Sequence, residues 1–344
     1  MRYLLNNSTD PYFNMALDEF CLENLVLDEP YFYLWRNRPS VIIGLNQNAY
    51  SEVNLGYLNA NGITLARRVT GGGAVYHDLQ NLNYTIVGTQ AANDTAAPYA
   101  SHPIRANGRG SALPPAVTGP AVIVEALRQL GVPAELTGRN DIFVEGRKVS
   151  GYARRVSKRQ EIIHGTLMYD VDLDTLTHVL DTPESKLNAK GIGSVKSRVA
   201  NLKDYLPGFK SLDEVQAALQ DILASGDCQM ELTESQLNEV RTMAEIKFST
   251  WDFIYGRSRQ TDLVRSAKLP CGTVEAAISL DRGLITGISF SGDFMFDEPA
   301  EKLAAALVGC RFEHDALASV LGKTDVSRFF RDTNSSDVLD LILT

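Results

Sequence analysis

Three consecutive glycines, Gly71 to Gly73, stand between two strand-like runs, ITLARR (63–68) and AVYH (74–77). A turn with that centre lets the backbone take positive φ or approach another group closely. Its successive N–H groups can form an anion-binding nest. Arg67 and Arg68 stand just before it and can add charge-assisted hydrogen bonds to a carboxylate or phosphate. A plain glycine-rich hairpin without a ligand fits the same residues equally well. The run lacks the Gly-Lys-Ser/Thr ending of a Walker A loop and does not match a dinucleotide fingerprint; Gly191-Ile192-Gly193 is no better supported.

The rest of the chain supplies the frame for that turn. Asp10-Pro11 marks a helix start, with Phe13, Ala16, Leu17, Phe20 and Cys21 at helical spacing. YFYLW (31–35), VIIG (41–44) and NYTIVG (83–88) read as strands. Residues 89–118 are rich in Ala, Pro, Gly, Asn and Thr and read as a long surface loop. A helix is expected over 119–131, and strand-like segments around 142–155 and 160–170. Ser211 with Glu214, and Thr233 with Gln236, have capping-box spacing. The helical pattern breaks at 246–260. A hairpin follows, VEAAISL and LITGISF around Asp281-Arg282-Gly283, then helices at 299–309 and 313–321. At 344 residues the chain suits two domains, here placed at 1–250 and 251–344.

Charge and cysteine usage narrow the classes. The net charge is −9, which argues against general nucleic-acid binding. One stretch, RKVSGYARRVSKR (147–159), carries six basic residues and no acidic one. Such a run is usually a solvated face, though in an acidic chain it can hold an anion. Cys21, Cys228, Cys271 and Cys310 lie far apart, so neither zinc nor a disulfide framework is indicated. No stretch approaches the roughly 18 apolar residues of a membrane span. The polar N-terminus does not read as a secretory signal, and a cytoplasmic location is the expectation.

Two further segments could carry chemistry. Gly138-Arg139-Asn140-Asp141 precedes a strand, and Lys148 lies in an alternating segment beside Gly151. An Asn-Asp pair there can be only a turn, and a lone strand lysine is usually solvated. His164 lies in His164-Gly165-Thr166-Leu167, and its simplest reading is a hydrogen-bonded core histidine, as it is for His77. No histidine shows metal-ligand spacing, and no serine elbow is present.

Taken together and in order, these segments resemble the lipoate–protein ligase A family. Its RRxxGGGxVxHD, GRND, KxSGxA, HGTLL and K-GI-SV-SRV-NL stretches match Arg67 to Asp78, Gly138 to Asp141, Lys148 to Ala153, His164 to Leu167, and Lys190 to Leu202. The openings DPYFNMALDE and LWRNRPSVIIGLNQN are also similar. The resemblance covers about the first 250 residues closely. The remainder looks like the small accessory domain of the long, bacterial-type ligases. The 89–118 loop is longer than usual, and Thr70 replaces a common Ser, which keeps the hydroxyl.

The resemblance implies a mixed-sheet α/β catalytic domain of biotin/lipoate-ligase type, with a small C-terminal α+β domain. It implies ATP-dependent formation of lipoyl-AMP, followed by transfer of the lipoyl group to a lysine of an apo lipoyl domain. Acceptors of that kind belong to 2-oxoacid dehydrogenase E2 subunits and the glycine-cleavage H protein. Lys148 would be the central catalytic residue, touching the carboxylate and the α-phosphate. Arg68, Thr70, Gly71, Gly72 and Gly73 would line the reactive end. Asn140 and Asp141 are assigned to the adenylate, and Asp141 also to Mg²⁺. Trp35, Ala74, Val75, His77, Asn81, Gly151, Ala153 and His164 complete the substrate-binding set. The basic run would hold ATP phosphates or steer an acidic lipoyl domain. The alternatives are an ATP-independent octanoyl or lipoyl transferase, which in its cysteine form needs a thiol near the site, and a non-catalytic lipoyl carrier.

Overall fold

The computed structural model describes residues 1–89, 119–137, 140–157, 160–180, 198–224, 229–256, 261–294 and 296–344. Most of the long 89–118 loop, Gly138-Arg139, Lys158-Arg159 and most of the stretch from Lys190 to Leu202 lie outside the described residues.

The largest sheet has eight strands. In spatial order they are β11 (Gln229–Met230), β1 (Arg2–Leu4), β2 (Tyr31–Trp35), β6 (Asn81–Thr89), β10 (Gln160–Met168), β9 (Arg147–Val156), β8 (Asp141–Val144) and β7 (Ala134–Thr137). The β2 sequence YFYLW is buried throughout because the sheet is covered on both faces. Alternation sends Phe32 and Leu34 into one core with the helices Pro120–Gln129 and Leu212–Leu223. It sends Tyr31, Tyr33 and Trp35 into a second core, against the helix Pro11–Glu23. That helix starts as its sequence requires, with the Asp10 carboxylate accepting from the Tyr12 amide. Thr233 and Gln236 form a reciprocal capping box. At Ser211 only the hydroxyl half forms, because the Glu214 carboxylate accepts from the Lys210 amide instead.

A second sheet holds β3 (Ser40–Ile43) between β4 (Thr64–Arg67) and β5 (Val75–His77). β4 is parallel to β3, and β5 is antiparallel to it. The glycine run therefore does not close a hairpin. It crosses the end of β3 to reach the other side. Gly44, just beyond β3, allows the crossing: a Cβ there would lie 2.2 Å from the Gly72 carbonyl oxygen. The Leu45 amide donates to the Thr70 carbonyl at 2.8 Å and holds the loop down.

The C-terminal region forms a three-stranded meander, β12 (Thr261–Leu269), β13 (Gly272–Asp281) and β14 (Leu284–Gly292). The expected hairpin is present, and Arg282 and Gly283 both have positive φ, as a tight two-residue turn needs. Strand β12 was not anticipated, since its polar residues mask the alternation. The helices expected at 299–309 and 313–321 run over Glu301–Leu307 and His314–Leu321, and a further helix, Ser335–Leu343, ends the chain. One apolar core joins this region to the second sheet, with Val41, Ile43 and Tyr76 clustered with Val274, Leu303 and Phe330.

Candidate active site

Register builds the floor of a slot. On the large sheet, Tyr33, Thr85, His164 and Ala153 stand opposite one another on β2, β6, β10 and β9. Two residues along, Trp35, Asn83 and Thr166 form a second row. Met15 comes from the first helix, Ile42 from β3, and Gly72, Gly73, Ala74, Val75 and His77 from the glycine crossing and β5. With Trp35, Asn83, Ala153, His164 and Thr166 of the two rows they line a cavity of about 110 Å³, with Lys148 and Asn140 at one end. That is small beside the few hundred Å³ of most ligand pockets and fits a slim chain.

The Asp18 carboxylate lands on the first row and organises it. It accepts from the Tyr33 hydroxyl at 2.5 Å, the Thr85 hydroxyl at 3.1 Å and His164 Nδ1 at 2.5 Å. Trp35 Nε1 donates to the Thr85 hydroxyl at 2.9 Å, which fixes the indole. On the other side His164 Nε2 lies 2.7 Å from the Thr70 hydroxyl. A buried hydrogen-bonded chain thus runs from Trp35 to the glycine loop. Such a network rigidifies a site because every broken link leaves a buried polar atom unpaired.

Arg68 continues that chain but spends its donors within the protein. Nε donates to the Thr70 hydroxyl at 3.0 Å, Nη1 to the Ile42 carbonyl at 3.0 Å, and Nη2 to the carbonyls of Gly71 and Gly73 at 2.6 and 2.8 Å. Burial lowers its pKa to about 10, which leaves it charged at neutral pH. Arg68 therefore turns the glycine carbonyls inward, freeing the loop to offer its N–H side. Arg67 is spent likewise, on the carbonyls of Gly44, Leu45, Gln47, Phe253 and Ile254.

Lys148 reaches the slot through a hairpin that the sequence reading had merged into one segment. Strands β8 and β9 pair antiparallel, and Glu145 and Gly146 take positive φ at the turn. A bulge between Ile142 and Phe143 breaks the alternation on β9. Val149 and Ser150 are both buried, while Lys148 and Gly151 both line the cavity. Lys148 Nζ then meets Asp141 Oδ1 at 2.8 Å. Gly151 makes room for this contact, since a Cβ there would lie 3.0 Å from Nζ. The Ala200 amide donates to the Lys148 carbonyl at 2.9 Å, so the described end of the Lys190–Leu202 stretch docks beside the lysine.

His77 is neutral for a structural reason. Burial, then the positive fields of Arg68 and His164, lower its pKa to about 3. Its Nδ1 lies 3.1 Å from Asn37 Nδ2, while Nε2 is buried with no partner among the described residues.

Comparison with known proteins fits this geometry. Residues 10–103 and 118–224 match the lipoyl protein ligase A/B catalytic domain model, and residues 258–342 match the bacterial lipoate protein ligase C-terminus model. Lipoate-protein ligase LplJ of Bacillus subtilis is 35% identical, covering 98% of both chains. Lipoate–protein ligase 1 of Staphylococcus aureus is 35% identical over 99% of this chain and 100% of its own. The chain belongs to the lipoate–protein ligase family. Among solved structures, a bipartite lipoate protein ligase of Thermoplasma acidophilum superposes with a TM-score of 0.61 at 31% identity, covering 76% of this chain and 98% of its own. A lipoate-protein ligase A solved with ATP bound gives 0.59 at 29%, covering 74% and 98%.

Within this lipoate–protein ligase family member, Trp35, Arg68, Gly72, Gly73, Ala74, Val75, His77, Asn140, Lys148, Gly151, Ala153 and His164 line one cavity. Thr70 joins through His164 and Asp141 through Lys148. Gly71 is exposed and contributes its carbonyl to Arg68. Asn81 does not line the cavity and bonds Asn83 instead. The basic residues described in the 147–159 run have partners within the protein, Lys148 in Asp141. Arg147 bonds the Tyr205 hydroxyl, Arg154 pairs with Glu161, and Arg155 donates to the Val69 carbonyl beside Glu23. Met15, Asp18, Asn83 and Thr166 are additions that the sequence reading lacked. Asp18 had a usable signal: with Asn14 it places two polar groups on a helical face that is otherwise buried and apolar. Cys21, Cys271 and Cys310 all lie away from the cavity, and burial pushes the Cys21 thiol up to about 12. No helix among the described residues is long and apolar enough to cross a membrane.

Proposed function

We propose that the protein is an ATP-dependent lipoate–protein ligase. The lipoate carboxylate oxygen attacks the α-phosphorus of ATP, the bond to the leaving pyrophosphate breaks, and lipoyl-AMP results. The ε-amine of an acceptor lysine then attacks the acyl carbon, AMP leaves with the acyl C–O electron pair, and the amine loses a proton. The observation that carries this reading is the polarity of the slot. Lys148 and Asp141, with side chains 35% and 27% exposed, stand at its open end, and buried Trp35, Ile42 and Met15 at the other. An acid with a mostly apolar tail fits only with its carboxylate toward the lysine.

The residues divide the work accordingly. The Lys148 ammonium stabilises charge on the carboxylate and α-phosphate in the first step and on the acyl oxygen in the second. The Asp141 carboxylate holds that ammonium in place. Asn140, its Nδ2 donating to the Tyr152 carbonyl at 3.1 Å, keeps its amide oxygen for a ligand donor. The loop N–H groups offer an anion nest. Asp141 is also a carboxylate of the kind Mg²⁺ uses together with substrate phosphates. When bound there, Mg²⁺ would supply charge neutralisation for the pyrophosphate. We assign apo lipoyl domains as acceptors, those of 2-oxoacid dehydrogenase E2 subunits and the glycine-cleavage H protein being of the right class, and place the reaction in the cytoplasm.

The test is lipoate-dependent pyrophosphate release from ATP, with and without an apo lipoyl domain. Wild type is expected to release it, and Lys148→Ala to lose about 10²–10³-fold in rate while staying folded. Acyl movement between proteins without pyrophosphate would overturn the ligase assignment in favour of a transferase. Lipoate binding with neither reaction would leave a carrier.

A further inference from the structure

The closed end of the slot is not uniformly apolar. Asn14 Nδ2 donates to the carbonyls of Ser8 and Arg36 and to Asn37 Oδ1 at 2.8 Å. Asn37 Oδ1 is therefore the acceptor, and Asn37 Nδ2 must donate to His77 Nδ1. A neutral imidazole that accepts at Nδ1 carries its proton on Nε2. That N–H is buried, has no partner among the described residues, and belongs to a ring lining the cavity, with His77 only 3% exposed. Asn83, 1% exposed and also lining the cavity, has an Nδ2 with no partner among the described residues. A buried donor without an acceptor costs about 1–3 kcal/mol, so a site built only for a hydrocarbon tail gains nothing from retaining one.

We propose that His77 Nε2–H is a specificity-determining donor that recognises a sulfur atom in the tail of the acid, selecting a dithiolane over an alkyl tail. The proposal rests on the ligase reading above. That reading places the carboxylate at Lys148 and hence the tail at Trp35 and His77, whose rings meet edge-on with centroids 5.9 Å apart. A divalent sulfur, in a disulfide as in a thioether, is a weak hydrogen-bond acceptor and also packs well against ring edges. A methylene of similar size can do only the second. His77 takes no part in the reaction itself, which occurs at the other end of the slot.

Pyrophosphate release is measured with lipoate, octanoate and the all-carbon ring analogue cyclopentylpentanoate, on wild type and on His77→Phe. Wild type is expected to favour lipoate over the ring analogue by about tenfold in kcat/KM, a neutral hydrogen bond's worth. His77→Phe keeps an aromatic ring without the donor and is expected to bring that ratio near one, mainly through the KM for lipoate. Equal wild-type use of lipoate and cyclopentylpentanoate overturns the proposal, and this comparison needs no variant to fold. A His77→Phe enzyme that keeps the wild-type ratio also overturns it. Absence of pyrophosphate release with all three acids would instead overturn the ligase reading itself.

Discussion

Replacing Arg67 by methionine tests how the site is anchored. The guanidinium is fully buried, and it donates to three carbonyls of residues 44–47 and to those of Phe253 and Ile254. The first group carries the glycine crossing, and the second closes the helix before the C-terminal region. Methionine fills similar space but offers no donor. A hydrogen bond to a charged group contributes roughly 1.5–3 kcal/mol, but several to one side chain are not additive, and removing the charge also relieves its desolvation. A net loss of about 3–5 kcal/mol follows, set by the orphaned carbonyls. That is a large share of a typical stability of roughly 5–15 kcal/mol. At about 2–4 °C per kcal/mol, calorimetry should show the main transition about 6–20 °C lower. Arg67→Lys should recover little, since an ammonium cannot span both segments. A loss below about 1 kcal/mol for Arg67→Met would refute the claim that this residue ties the two segments together.

Three other perturbations follow from the same contacts. His77, whose folded pKa is lowered from 6.5 to about 3, contributes stability that is fully present above pH 6.5 and is lost as pH falls toward 3. Denaturant titrations should show wild type losing about 2 kcal/mol more than His77→Gln between pH 6.5 and pH 4.5, and parallel curves would refute it. Gly44→Ala forces a Cβ against the Gly72 carbonyl, so the loop must move; a cost of about 1–3 kcal/mol and a raised KM for the acid are expected, and an unchanged KM would show that the loop does not touch substrate. Asp18→Asn removes the carboxylate that orients His164, and kcat/KM for the acid should fall about tenfold, with wild-type kinetics counting against the network.

What could be read from the sequence depended on the range of the interaction. The glycine run, the Asp10 cap and the Asp281-Arg282-Gly283 turn are local devices, and each was legible from residue type. That Gly71 to Gly73 cross a strand rather than close a hairpin depends on which strand lies between β4 and β5, and nothing local encodes it. The meeting of Lys148 with Asp141 needed the Glu145-Gly146 turn and a bulge. Residues 142–155 lack the Asn-Gly signature that would have divided them into two strands. The partners of the basic run, Tyr205, Glu161 and Glu23, were not legible because they are brought in from other elements. Asn83 escaped notice because a strand asparagine acquires meaning only when register sets it between Trp35 and Thr166.

The apolar core shared by the second sheet and the C-terminal meander bears on what happens if the chain is cut between them. Val41, Ile43 and Tyr76 would be left facing water on one fragment, and Val274, Leu303 and Phe330 on the other. Two polypeptides made that way would have to associate to fold, and their melting temperature would climb with concentration. In the single chain, that association is intramolecular and independent of how much protein the cell makes.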